Sequence, residues 1–71
     1  MEEQEILKKF GLNVKVARMK LGVTQAVLAE MLDVHEKYIS RIETGKQNVT
    51  IKTLNKLSIK LNTEIYKFLK F

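Results

Sequence analysis

The chain has 71 residues, a net charge of +5, no cysteine and one histidine. That length holds one domain at most, and the composition excludes disulfides, thiolate metal sites and any multi-histidine zinc site. No apolar run approaches the ~20 residues of a membrane-spanning helix, and the opening "MEEQEILKKF" is acidic where a secretory leader is basic. The expectation is a soluble cytoplasmic protein with no metal, no cofactor and no membrane partner. A chain this short buries little core and often leans on a partner subunit.

The charge is unevenly placed. Residues 1–34 hold five basic and five acidic residues, whereas residues 35–71 hold eight Lys/Arg against three Glu. A basic half on a small domain suits a polyanion, most often nucleic acid. Ordinary solubility charge fits the composition equally well.

Apolar residues recur at helical spacing nearly throughout, with no sustained alternation of period two, so the fold class is all-α. A first helix is expected from about Glu3 to Lys20, with Ile6, Leu7, Phe10, Val14 and Ala17 on one stripe. Gly11 sits inside it at a cost of about 1 kcal/mol against alanine. It marks either a close approach or a tolerated weakness. Gly22 is placed to end this helix in a left-handed cap. Thr24 caps a second helix, whose inward face is Ala26, Leu28, Ala29 and Leu32.

After a tight "LDV" connection, His35 stands at the cap position of a third helix, about Glu36 to Thr44. Ile39 and Ile42 point inward and Gly45 stops it. Thr50 caps a fourth helix with Ile51, Leu54, Leu57 and Leu61 inward, and Asn62 can take the left-handed turn that closes it. A short last helix, about residues 64–70, carries Ile65, Phe68 and Leu69.

Two short helices joined by a three- or four-residue turn form a helix-turn-helix, here over about residues 24–44. The second helix must stand clear enough to enter a major groove about 12 Å wide. Small residues let the two helices cross closely, and Ala26 and Ala29 suit that demand.

The spaced set "TQAVLAEML", "YISRIETGK" and "TIKTLNKLSIKL" resembles the lambda-repressor-like, Xre-type helix-turn-helix domains, over roughly residues 8–69. "YISRIETGKQNVTIKTL" looks closer still to restriction–modification controller proteins, which are small dimeric regulators. The resemblance implies a compact five-helix lambda-repressor-like domain spanning residues 1–71. It implies double-stranded DNA as partner and a homodimer formed through the C-terminal helix.

Site residues follow from the resemblance position by position. The family's base-reading positions fall on Glu36, Lys37, Ser40 and Arg41. Arg and Lys donate to guanine, Glu accepts from the cytosine amine, and Ser serves either way. Gln25 occupies the place of a glutamine that touches phosphate, at a helix N-terminus that favours an anion. Tyr38, Lys46, Asn48 and Thr50 fit backbone contacts that position without reading sequence. Lys52 joins them beside Thr50, and His35 is a cap or phosphate contact. Arg18 and Glu43 take positions that pair in many members and brace the fold. Val49 replaces a proline often found in this loop.

Several residues carry a plainer reading beside the functional one. Glu36 in a first helical turn stabilises the macrodipole by about 0.3–1 kcal/mol with no base contact. Lys52, Lys56 and Lys60 make an ordinary solvated face. Ile65, Phe68 and Leu69 either cover the chain's own core or form a two-fold interface. Both are expected, with Ile65 partly inward and Phe68 and Leu69 toward a partner.

The leading functional expectation is a sequence-specific, dimeric transcriptional regulator binding a near-palindromic operator. No ligand-binding domain is expected, so control through the protein's own concentration is expected and no small-molecule ligand. An antitoxin or phage-type repressor would use the same helices, and a protein-interaction module would fit the carboxylate of Glu36. An enzyme is not expected. The single histidine has no paired nucleophile signal, and no phosphate-cradling glycine motif is present.

Overall fold

A computed structural model describes residues 1–71. It contains five helices: α1 Glu3–Leu21, α2 Gln25–Leu32, α3 Glu36–Glu43, α4 Ile51–Lys60 and α5 Ile65–Phe68. No residue lies in a strand, and no helix is long and apolar enough to cross a membrane.

Local chemistry accounts for the ends of these helices. Glu3 and Glu5 occupy the first turn of α1, and Arg18 and Lys20 the last, which matches each charge to the opposing end of the helix dipole. Gly22 closes α1 at φ 82°, its N–H bonding to the carbonyls of Arg18 and Met19. The Thr24 hydroxyl accepts from Val27 N–H at 3.1 Å and starts α2. Asp33 ends α2 in the left-handed region at φ 57°, a conformation that a short polar side chain tolerates better than most. Val34 N–H then returns to the Ala29 carbonyl at 2.9 Å. Thr50 caps α4 by accepting from Thr53 N–H at 3.1 Å, and Asn62 takes the left-handed turn after it at φ 49°.

All five helices contribute to one core of twelve buried apolar residues. Val14, Leu28, Ile39, Ile42, Leu57 and Phe68 are completely enclosed. The stripe expected on α1 is buried at Phe10, Val14 and Ala17, while Leu7 is half-buried and Ile6 lies at the exposed rim.

Three expectations are corrected. Ala26 is exposed, because it lies roughly a third of a turn from the centre of the face carrying Leu28, Ala29 and Leu32. Ile51 is 78 % exposed, because it opens α4 before the helix has reached the core. Phe68 points inward, not toward a partner. It is fully buried and meets Phe10 edge-on, with ring centroids 6.3 Å apart at 71°, a favoured aromatic geometry.

That burial explains why a helix of one turn holds its place. Asn13 on α1 adds a polar tie, its Nδ2 donating to the Phe68 carbonyl at 2.8 Å and to the Lys70 carbonyl at 3.1 Å. Ile65, expected partly inward, is 36 % exposed, and Leu69 is 49 % exposed.

Gly11 is a close approach. A methyl group there would strike the Ile42 carbonyl oxygen and lie 2.9 Å from that of Glu43. The backbone of α1 therefore rests directly on the end of α3, and neither backbone can yield alone. Gly11→Ala should lower stability in urea denaturation, reversing the gain of about 1 kcal/mol that alanine brings to an open helix position. A stabilised variant would show that α1 and α3 can separate freely.

Candidate nucleic-acid interface

Helices α2 and α3 are joined by three residues, Asp33 to His35. The His35 Nδ1 accepts from Lys37 N–H at 3.2 Å. The unusual cap residue thus does a cap's work. The inward side of α3 is Ile39, Ile42 and Glu43. Its outward side presents Glu36, Lys37 and Arg41 exposed and Ser40 half-exposed. All four residues expected to read bases therefore share one outward face, at i, i+1, i+4 and i+5.

They do not all project freely. The Arg41 guanidinium turns toward the following loop, its Nη2 donating to the Lys46 carbonyl at 2.9 Å. Its Nε lies 3.4 Å from Gln47 Oε1, a long and weak hydrogen bond. No hydrogen bond within the chain engages the side chains of Glu36, Lys37 or Ser40. Glu36 occupies the first turn of α3, where its charge favours the helix dipole.

The far end of α3 is fixed by an ion pair. Arg18 Nε donates to Glu43 Oε2 at 2.7 Å, and its Nη2 donates to Oε1 at 3.1 Å. The two side chains are 11 % and 1 % exposed. Arg18 Nη1 also donates to the Val23 carbonyl at 2.9 Å. Gln25, at the start of α2, donates its amide to Glu43 Oε1 at 2.9 Å. One cluster thus joins the end of α1, the start of α2 and the end of α3, and no buried polar side-chain atom is left without a partner.

The residues expected along the DNA backbone are more scattered. Tyr38 is half-buried against the core. It lines a small cleft with Leu32, Val34, Thr53 and Lys56. Lys46 and Asn48 are exposed in the loop before α4, and Lys52 is exposed in its first turn. The Thr50 hydroxyl is occupied by its cap, accepting from Thr53 N–H and donating to Thr53 Oγ1 at 3.2 Å. Sequence reasoning passed over Gln47. Its position between Lys46 and Asn48, in the loop that follows the exposed helix, was the available signal.

A profile of the helix-turn-helix family matches residues 14–68. The chain belongs to this helix-turn-helix family. It is 38 % identical over 69 residues to the control protein C.SmaI of Serratia marcescens, covering 97 % of this chain and 79 % of that one. It is 36 % identical over 63 residues to the control protein C.BamHI of Bacillus amyloliquefaciens, covering 87 % and 78 %. Among solved structures, the restriction-modification controller protein C.AhdI from Aeromonas hydrophila superposes with a TM-score of 0.82 at 29 % identity, covering 87 % and 94 %. The expected kinship with controller proteins and the all-α, lambda-repressor-like fold both hold.

Within this helix-turn-helix chain the Glu43 carboxylate is buried and its Arg18 partner is nearly so. Removing one partner leaves the other uncompensated. Arg18→Ala should cost about 3–5 kcal/mol, measured as a fall in the denaturant midpoint at unchanged slope. A loss below about 1 kcal/mol would assign the pair the weight of an exposed surface bridge.

Proposed function

We propose that this protein is a sequence-specific DNA-binding transcriptional regulator that acts as a homodimer in the cytoplasm, in the manner of a restriction–modification controller. The observation that carries the reading is the outward face of α3. Glu36, Lys37 and Ser40 stand free of internal bonds above a fully buried backing of Ile39 and Ile42. A short helix whose polar side chains are uncommitted, held from behind by core and ion pair, suits insertion into a major groove. Base contacts are assigned to Glu36, Lys37 and Ser40.

Phosphate contacts are assigned to Gln25, His35, Tyr38, Lys46, Asn48 and Lys52, and to Thr50 through its backbone N–H. Gln25 can serve twice. One hydrogen of its amide is used on Glu43, and the second remains for a phosphate oxygen. The Nε2 of His35 has no partner in the chain, so it too is available. No step of this reading is catalytic: the protein binds and positions.

The dimer surface is assigned to Ile65 and Leu69, two apolar side chains that the chain's own core leaves exposed. Two copies would then address half-sites about 34 Å apart on a near-palindromic operator.

Selection of bound duplexes from a random pool should return a near-palindrome, with affinity falling steeply as salt rises because phosphate contacts release counterions. A flat salt response with no enriched sequence would sink the DNA reading. In sedimentation, an Ile65→Asp, Leu69→Asp double variant should shift toward monomer while keeping its helical circular dichroism. Persistence of the dimer would place the interface on another face.

A further inference from the structure

Arg41 is bonded to the loop that follows its own helix. We propose that Arg41 is a positioning residue, not a base reader. It fixes the loop of residues 44–50 as a rigid phosphate-binding shelf, with Gln47 as its second anchor. This inference rests on the DNA-binding reading above.

The geometry is reciprocal. Lys46 N–H donates to the Arg41 carbonyl at 2.8 Å, while the Arg41 guanidinium donates to the Lys46 carbonyl at 2.9 Å. Both backbone groups of Lys46 are therefore held by one residue. Arg41 Nε lies 3.4 Å from Gln47 Oε1, and Gln47 Nε2 in turn donates to the Asn48 carbonyl at 3.1 Å. Asn48 Oδ1 accepts from Val49 N–H at 2.9 Å, and the next residue is the Thr50 cap of α4. A continuous run of hydrogen bonds thus leads from Arg41 to the start of α4.

The loop is also anchored from below. Gln4 Nε2 donates to the Gly45 carbonyl at 2.9 Å. A methyl group at Gly45 would come within 2.8 Å of the Lys8 Cα, so this backbone sits directly on α1. No proline stiffens the loop. Its stiffness comes from Arg41 above and α1 beneath.

The donor count settles what the guanidinium still offers. Arginine has five N–H donors in a planar fork. One is committed to the Lys46 carbonyl, one makes the weak bond to Gln47, and three remain beside the exposed Lys46. A fork held near the last turn of α3 suits a phosphate, which accepts from planar paired donors. Reaching along α3 to a base edge would require breaking the bond to Lys46. Sequence discrimination then falls to the first turn of the helix.

Arg41→Lys keeps the charge and removes the fork. In the free protein, amide hydrogen exchange at Lys46 and Val49 should quicken about tenfold, the effect of losing one charge-assisted hydrogen bond. Thermal stability should change little, since Arg41 is exposed. On duplex DNA, affinity for the selected operator and for random sequence should fall by a similar factor, leaving their ratio intact. A loss confined to the operator, with relaxed choice at one base pair, would make Arg41 a base reader and overturn the proposal. Unchanged exchange in the loop would overturn it as well. The exchange measurement involves no DNA, so its outcome stands apart from the success or failure of the DNA-binding reading.

Discussion

One carboxylate, Glu43, holds the helix-turn-helix to the rest of the chain. Its two oxygens accept three hydrogen bonds, two from Arg18 on α1 and one from Gln25 on α2. Taking two ions out of water costs several kcal/mol each, and only good geometry with further hydrogen bonds to both ions offsets that. The bidentate fork, the added amide and the Val23 carbonyl on Arg18 supply that geometry. The return is orientational: the last residue of α3 cannot move without unpairing a buried charge, so the exposed helix keeps its angle to α1 and α2.

A second constraint acts at the same place. Gly11 lets the α1 backbone touch the carbonyls of Ile42 and Glu43, and this contact brings Arg18, two turns further along α1, within reach of the carboxylate. Close packing and the ion pair therefore depend on each other. With the inner side of α3 committed to Ile39, Ile42 and Glu43, its outer side leaves the side chains of Glu36, Lys37 and Ser40 without a hydrogen bond inside the chain.

Much of the architecture was legible because its signals are local. Thr24, Thr50 and even His35 act as caps through bonds spanning two or three residues. Gly22 and Asn62 take left-handed turns where the helical pattern breaks. The residues of α3 sort correctly into inner and outer faces, because a helix of two turns leaves little freedom in its phase. The misreadings share one cause, which is that exposure depends on neighbours distant in sequence. Ala26 and Ile51 are apolar residues at the margin of a stripe, and periodicity cannot say how wide the covering layer is. A short apolar last helix fits either a core or a two-fold interface, and spacing alone does not say which of the two takes Phe68. Phe10, 58 positions earlier, supplies the surface that receives it.

The linear order of residues was enough for the all-α class, five helices with their caps, the basic second half and a motif pointing to a helix-turn-helix. Each of these follows from backbone chemistry over one or two turns or from composition. Tertiary structure alone decided that Gly11 is a contact and not a weakness, that Phe68 faces inward, and that Gln25 joins the Arg18–Glu43 pair. It also turned Arg41 from the helix face to its loop. Those outcomes depend on distances between segments separated by many residues, or on which of several hydrogen-bond acceptors lies nearest once the chain has folded. Neither quantity is written in residue spacing.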